Sequence, residues 1–330
     1  MNRSPLPKSL LLLMAAGAML AACATAPVAA GTKTTSRTAA TRTTTGTAPN
    51  TVTGTATGSV PGSGGFSHEV PIALGPGRVI STTDPLRIML IGDSVMYVAA
   101  PAIASELDST GVVRVYPRAL PGWGLTTAGN WRTELPLLIS QLHPDLVIGM
   151  WSWDDNEALE HPRAYRAMLG QAIDLMITPG DGVAGVMFMQ FPPLGPLPPY
   201  MKDAKARDAH RDAGVAAWNA IAKSMASIHP GRVMYFPVAG AVELDGKFTP
   251  WLPPMNEVQS PRSQWVRVRM VDNVHLCPAG ASRYAAALTA DLTALYRLPP
   301  PSPGWQAGPW TLDHRYSNPP GSCPDDHPPA

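Results

Sequence analysis

The sequence has few cysteines and no excess of charge of either sign. Its 330 residues include three cysteines, and 25 Lys and Arg stand against 24 Asp and Glu, for a net charge of +1. Because nucleic acid is bound through clustered Lys and Arg, and no basic run is present, we exclude nucleic acid as a partner. A glycine-rich nucleotide loop and a His, Cys or Asp cluster with metal-ligand spacing are also lacking. We therefore expect no cofactor and no metal ion.

Long apolar runs are scarce as well, and the one near the N-terminus is too short to span a membrane. It extends over 10–20, after two basic residues, and it leads into Leu20-Ala21-Ala22-Cys23. This order is typical of a bacterial lipoprotein signal peptide over 1–22, with Cys23 as the lipidated N-terminus of the exported protein. A lipid there would hold the protein at the outer face of the cytoplasmic membrane, in the cell envelope. A plain signal peptide, cut elsewhere so that Cys23 is lost, is the alternative.

Two cysteines remain once Cys23 is set aside, which is an even number in an oxidising compartment. We predict a disulfide between Cys277 and Cys323. The alternative is two free thiols.

The chain divides into a tether, a domain and a tail. Residues 23–80 are rich in Thr, Ala, Gly and Ser, so they bury too little apolar surface to offset the entropy of ordering, and we predict a flexible tether. Residues 81–298 are predicted to form one domain. Residues 299–330 are predicted to form a proline-rich tail.

Within the domain, short apolar runs alternate with stretches of helical length. The runs predict five buried parallel strands at 86–91, 112–116, 145–150, 183–189 and 232–236. The stretches between and after them predict helices at 95–107, 131–142, 163–177, 213–228 and 279–296. Alternation of this kind is typical of a three-layer α/β/α fold around a parallel sheet. In such sheets ligands bind beyond the carboxyl ends of the strands.

A serine follows the first predicted strand at once, in Gly92-Asp93-Ser94. A strand-to-helix turn exposes a serine at the edge of the sheet, close to the N–H groups that open the helix. The tripeptide alone is weak evidence, because Asp and Ser also cap helices and glycine is common in turns.

A second motif, Asp272-Asn273-Val274-His275, stands just before the last predicted helix. His275 could take the proton of a serine hydroxyl while Asp272 holds the imidazole tautomer. Alternatively, Asp272 caps the helix and His275 is an ordinary loop residue.

The two motifs together, in this order in an α/β domain, resemble the SGNH/GDSL hydrolase superfamily. The resemblance covers roughly 84–297 and implies a flavodoxin-like fold with a five-stranded sheet. It implies a catalytic triad of Ser94, Asp272 and His275. It also implies that the N–H groups of Ser94 and Gly122 belong to the oxyanion hole, Gly122 by its place after the second strand.

The third family motif, Gly-x-Asn-Asp, is altered here. The segment reads Gly149-Met150-Trp151-Ser152-Trp153-Asp154-Asp155-Asn156. Two replacements for the missing amide donor are open: Asn156 swings into the hole, or the Trp153 indole donates.

The resemblance implies an enzyme of the cell envelope that hydrolyses O-acyl esters, O-acetyl esters above all, through an acyl-enzyme on Ser94. The expected partners are an acylated small molecule or carbohydrate, and the membrane through the lipid. Two alternatives remain. One is an O-acyltransferase to envelope carbohydrate, since the chain also resembles SGNH domains appended to membrane-bound O-acyltransferases. The other is a catalytically silent, envelope-binding lipoprotein.

Overall fold

The computed structural model describes residues 71–127, 129–180, 182–197, 202–255 and 265–324. Cys23, the predicted signal peptide and the tether as far as residue 70 lie outside the described residues. Among the helices that are described, none combines the length and the apolar character that a membrane crossing requires.

The central feature is a five-stranded parallel sheet whose strands follow the order β2-β1-β3-β4-β5. The strands are β1 (Leu86–Gly92), β2 (Val113–Pro117), β3 (Leu146–Met150), β4 (Gly185–Met189) and β5 (Val233–Phe236). Every predicted strand is confirmed. Nearly all residues of β1, β3, β4 and β5 are buried, as expected for strands with helices on both faces.

In the described part of the chain, six α-helices surround the sheet. They are α1 (Ser94–Asp108), α2 (Trp131–Leu142), α3 (Asp155–Glu160), α4 (Pro162–Met176), α5 (Ala204–Ile228) and α6 (Pro278–Tyr296). Helix α1 packs on α6, whereas α4 packs on α2, α3 and α5. The structure therefore has the predicted three layers. Helix α5 begins well before its predicted start at residue 213, because its first turns are mostly polar and exposed and carry no apolar period.

Between β5 and α6 the chain forms two small antiparallel sheets that the sequence reading did not predict. They pair β6 (Glu243–Leu244) with β7 (Lys247–Phe248), and β8 (Trp251–Leu252) with β9 (Val266–Arg267). Strands of two residues are too short to show the alternation of apolar and polar residues that predicts a strand. An isolated bridge between Arg269 and Leu276 closes the turn that contains Asp272.

Both ends of the predicted domain extend further than expected. Ile72 is fully buried, and its carbonyl accepts a hydrogen bond of 3.2 Å from Tyr296 Oη, so residues 71–80 belong to the folded unit and not to the tether. On the other side, Trp305 and Tyr316 are buried within the predicted tail, and Tyr316 Oη donates to the carbonyl of Val98 at 3.0 Å. The described part of the tail thus packs on α1, because its aromatic rings bury apolar surface there.

The predicted disulfide is present. Cys277 and Cys323 are bonded, with their Cα atoms 5.6 Å apart. The bond joins the tail to the residue immediately before α6. It therefore holds the tail close to the turn that carries His275.

Candidate active site

The turn after β1 places Ser94 at the carboxyl edge of the sheet. Gly92 has φ = +141°, and a Cβ there would lie 2.1 Å from the Met150 carbonyl oxygen, so only glycine fits. Asp93 then caps α1, its Oδ1 accepting from Val95 N–H at 2.9 Å. Ser94 is the first helical residue and is partly exposed. Its N–H belongs to the first turn, where a helix offers no acceptor of its own.

The Asp93 carboxylate joins this turn to the segment after β3. It is almost completely buried and accepts from the Ser152 hydroxyl at 2.6 Å and from the Trp153 N–H. Burial raises the pKa of Asp93 to about 6, although the hydrogen bonds from Ser152, Val95 and Trp153 act to lower it. Asp93 is therefore a structural link whose role the tripeptide did not reveal.

Asp272 and His275 form a close pair in the turn before α6. Asp272 Oδ2 lies 2.6 Å from His275 Nδ1, and its Oδ1 accepts from the N–H groups of Val274 and His275 at 2.9 and 3.0 Å. Burial acts to raise the pKa of Asp272, but the hydrogen bond and charge of His275, with the two amides, lower it to about 2. The carboxylate is thus ionised at neutral pH and holds the proton of the imidazole on Nδ1.

The other nitrogen of the imidazole, His275 Nε2, is buried and has no hydrogen-bond partner among the described residues. With Nδ1 protonated, Nε2 carries the lone pair. An unpaired basic nitrogen held at a fixed position is what general-base catalysis requires.

A buried arginine holds the turn that carries Asp272 and His275. Arg269 is fully buried and donates to the carbonyls of Val274 and Pro193 at 3.0 and 3.1 Å. Gly195 N–H also donates to the Asn273 carbonyl at 2.8 Å. These bonds attach the turn to the loop after β4, at the carboxyl edge of the sheet. The sequence carries no signal for Arg269, because in the alternating run Val266-Arg267-Val268-Arg269-Met270 it stands at a position that should face solvent.

Helix α6, which follows the turn, also touches this edge. Tyr284 Oη donates to the Gln190 carbonyl just after β4, and it lies 3.8 Å from Met150 Sδ at the end of β3. Met150 is the register partner of Gly92, at the turn that leads into Ser94. The structure thus brings both predicted motifs to the same edge of the sheet.

The loop after β2 also approaches the turn of Gly92, Asp93 and Ser94. Leu120 N–H donates to the Gly92 carbonyl at 2.9 Å. Gly122 follows with φ = +70°, and within the described part of the chain its N–H has no acceptor. This backbone donor therefore remains open to a ligand.

The same loop is anchored on the carboxylate of Asp154. Asp154 is buried and accepts from Leu125 N–H at 2.7 Å, from Thr126 N–H at 3.2 Å and from Thr126 Oγ1 at 2.5 Å. Tyr165 Oη donates to it at 3.2 Å, and a Cβ on Gly124 would lie 2.3 Å from its Oδ1. Asp154 thus fixes the loop of Gly122, a role that sequence reasoning missed because its partners are distant in the chain.

The two candidates for the third oxyanion donor lie in different surroundings. The N–H of Trp153 donates to Asp93, whereas the residue as a whole is 60% exposed. Asn156 stands on α3, and its Oδ1 lies 2.9 Å from Nε2 of His210 on α5. The acceptor Oδ1 of Asn156 is therefore engaged with α5, whereas the backbone of Trp153 is tied to Asp93 beside Ser94.

No group of three His, Cys, Asp or Glu side chains suited to a metal ion occurs among the residues that the structure describes.

No protein-family model matches this chain, and no curated protein matches it. Solved structures do match. An aryl esterase from M. smegmatis is 17% identical over 63% of this chain and 99% of that chain, with a TM-score of 0.45. A carbohydrate esterase family 3 protein from Talaromyces cellulolyticus is 16% identical over 64% and 98% of the two chains, with a TM-score of 0.43. A GDSL-like lipase from Bacteroides thetaiotaomicron is 14% identical over 66% and 93%, with a TM-score of 0.41.

Similarities at this level concern the fold alone. By its own topology the chain has the flavodoxin-like α/β/α fold that the resemblance to the SGNH/GDSL superfamily implies, with a parallel sheet in the order β2-β1-β3-β4-β5 and helices on both faces. Its predicted site motifs stand at the end of β1 and before α6.

Proposed function

We propose that this chain is a serine ester hydrolase in which Ser94 is the nucleophile, His275 the general base and Asp272 the residue that orients it. One observation carries the proposal. Asp272 Oδ2 lies 2.6 Å from His275 Nδ1, and the buried Nε2 of the same ring has no hydrogen-bond partner among the described residues, in a turn attached to the loop after β4. A buried acceptor without a partner costs about 1–3 kcal/mol of stability. A general base gives a reason to keep the nitrogen open, because the proton that it takes comes from a reacting group.

In the proposed reaction, Nε2 of His275 takes the proton of the Ser94 hydroxyl as Oγ attacks the ester carbonyl. The imidazolium that results is stabilised by Asp272, whose lowered pKa keeps it ionised. His275 then returns the proton to the departing alcohol, which leaves an acyl group on Ser94. Water repeats the same steps and releases the acid.

The negative charge on the carbonyl oxygen needs preorganised donors. The N–H of Ser94, at the start of α1, and the open N–H of Gly122 supply two. For the third, the Trp153 indole and the Nδ2 group of Asn156 are the two candidates, because the contact with His210 uses only Oδ1 of Asn156. A missing donor would cost about 2.7–4 kcal/mol of transition-state stabilisation.

The natural setting that we propose is the cell envelope, with the protein tethered through a lipid on Cys23. The substrates that we propose are O-acyl esters of envelope carbohydrate, and acetylated sugars are the first to be tested. These points rest on the N-terminal sequence pattern and on the family resemblance.

A fluorophosphonate probe tests the nucleophile directly. We expect the probe to label the wild-type protein and the control variant Ser140→Ala, whose serine is exposed on α2, but not Ser94→Ala. Equal labelling of Ser94→Ala, or no labelling of the wild type, contradicts the proposal. The second outcome would favour a silent binding protein.

Hydrolysis of p-nitrophenyl acetate tests the pair of Asp272 and His275. Asp272→Asn should lower kcat by about 10⁴-fold, because the amide no longer selects the Nδ1 tautomer. The control is Asp245→Asn, in an exposed turn, which should retain wild-type activity. Similar kcat values for the two variants would exclude the assigned role of Asp272.

A further inference from the structure

One end of the C-terminal tail is attached to α1, the helix that begins with the proposed nucleophile. Arg315 donates to the Tyr97 carbonyl at 3.0 Å, and its guanidinium carbon lies 4.3 Å from the centre of the Tyr97 ring. The next residue, Tyr316, is buried, and its hydroxyl donates to the Val98 carbonyl at 3.0 Å. Both carbonyls belong to the first two turns of α1. This part of the tail is therefore fixed to the helix of Ser94.

The other end of the tail is attached to the turn of His275 at two points. The carbonyl of Ser322, which is buried, accepts from Val271 N–H at 2.9 Å, directly before Asp272. The disulfide then joins Cys323 to the residue that precedes α6, two residues after His275. The proposed base and the aspartate that orients it thus stand between the two points of attachment.

Residues 315–323, which we call the strap, therefore connect the two sides of the proposed site. Ser94 and His275 come from opposite ends of the domain, and the strap is attached to the helix of the first and to the turn of the second. A displacement of about 1 Å between reacting groups costs about 10²-fold in rate. An element that is bound to both sides helps to fix this separation.

The attachment at the turn depends on a bond that a thiol can open. Cys277 is buried, whereas Cys323 is partly exposed, so a thiolate from solvent attacks Cys323 Sγ. Cys277 then leaves as a thiolate at the N-cap of α6, where the positive end of the helix stabilises it.

The reductant that balances this step is a dithiol. Its first thiolate breaks the bond between the two cysteines and forms a mixed disulfide with Cys323. Its second thiol displaces Cys323, so that the dithiol becomes a disulfide and the protein gains two electrons and two protons as two thiols.

We propose that the strap is a positioning element of this site, and that reduction of its disulfide by a dithiol slows the reaction of Ser94. With the bond open, the hydrogen bond from Val271 N–H must hold this end of the strap against the entropy of a free chain end. The turn of His275 then gains freedom relative to α1. The inference rests on the proposed function and specifies the regulation of its site.

The test measures hydrolysis of p-nitrophenyl acetate before and after reduction of the full-length protein. Dithiothreitol is removed by gel filtration under argon, because thiols cleave the ester, and a thiol assay should then count two more thiols than before. We expect kcat to fall about tenfold or more with KM little changed, because the strap acts on the base and not on the binding of substrate. Reoxidation should restore kcat.

Two variants separate positioning from a general loss of stability. Cys277→Ser with Cys323→Ser should have the kcat of the reduced wild type and should not respond to dithiothreitol. Ile173→Ala removes apolar surface that is buried on α4, a helix that packs on α2, α3 and α5, and therefore lowers stability as well. Its kcat should equal that of the oxidised wild type.

Three results would overturn the inference: an unchanged kcat when both new thiols are counted, an equal fall of kcat in Ile173→Ala, or a rise in KM at constant kcat. Fluorophosphonate labelling of Ser94 in the oxidised protein separates this failure from that of the proposed function. Labelling and hydrolysis that do not respond to reduction remove only the strap. Absence of both in the oxidised protein removes both proposals.

Discussion

Asp154 anchors the loop that carries Gly122, so the variant Asp154→Asn tests how the oxyanion region is held. The carboxylate accepts four hydrogen bonds, two on each oxygen. Asparagine keeps the shape but turns one oxygen into an NH₂ group, which must face two donors. The variant thus places donor against donor in a buried site.

The magnitude follows from which oxygen is replaced. An NH₂ group toward Leu125 would leave a buried N–H unpaired. An NH₂ group toward Thr126 is less costly, because the hydroxyl can turn to accept and Thr126 is exposed. The amide should therefore adopt the second orientation and lose about one hydrogen bond to a charged group. That predicts a loss of about 1.5–3 kcal/mol in the free energy of unfolding.

Equilibrium unfolding in urea, followed by tryptophan fluorescence with the disulfide intact, measures this loss. The matched control is Asp155→Asn, whose carboxylate accepts a hydrogen bond of 2.8 Å only from the adjacent Asn156 N–H among the described contacts. The esterase kcat should fall in Asp154→Asn as well, because Gly122 is no longer held. Equal free energies of unfolding for the two variants would refute the role given to Asp154.

Two further predictions concern stability. The pKa of Asp93 is raised by burial from its ordinary value of 3.8 to about 6, so the stability linked to its proton is complete below pH 3.8 and is lost as the pH rises through 6. The difference in unfolding free energy between wild type and Asp93→Asn should shift by about 2 kcal/mol in favour of the variant between pH 4 and pH 7, and a pH-independent difference would contradict this. Cys277→Ser with Cys323→Ser should lower the free energy of unfolding by about 2–4 kcal/mol, measured by urea unfolding without reductant, and unchanged stability would show that the bond constrains little.

Much of the framework can be read from the chain itself. Each of the five strands is a continuous apolar run, and burial on both faces of a parallel strand requires such a run. The positions of Ser94, Asp272 and His275 follow from their places at the end of a strand and before a helix. The disulfide follows from cysteine number and compartment.

Other features depend on residues that are far apart in the sequence. Asp93 reads as a simple helix cap, yet its carboxylate also binds Ser152 and Trp153. Arg269 stands in an alternating run that predicts exposure, yet folding buries it under the turn of His275. The end of the predicted tether also differs from the structure, and the packing of the tail on α1 has no signal in the sequence, because composition does not show what a distant segment will cover.

The sequence by itself thus predicted the strands, the order of the motifs and the residues that we propose as nucleophile and base. The apolar runs and the motifs are patterns of residues that are close together in the chain. Such patterns can be recognised without knowledge of the fold. Only the tertiary structure established the links through Asp154 and Arg269 and the unpaired Nε2 of His275. Those features arise where separate segments pack against one another, and the free energy of such contacts depends on three-dimensional distance and burial, which no short stretch of sequence contains.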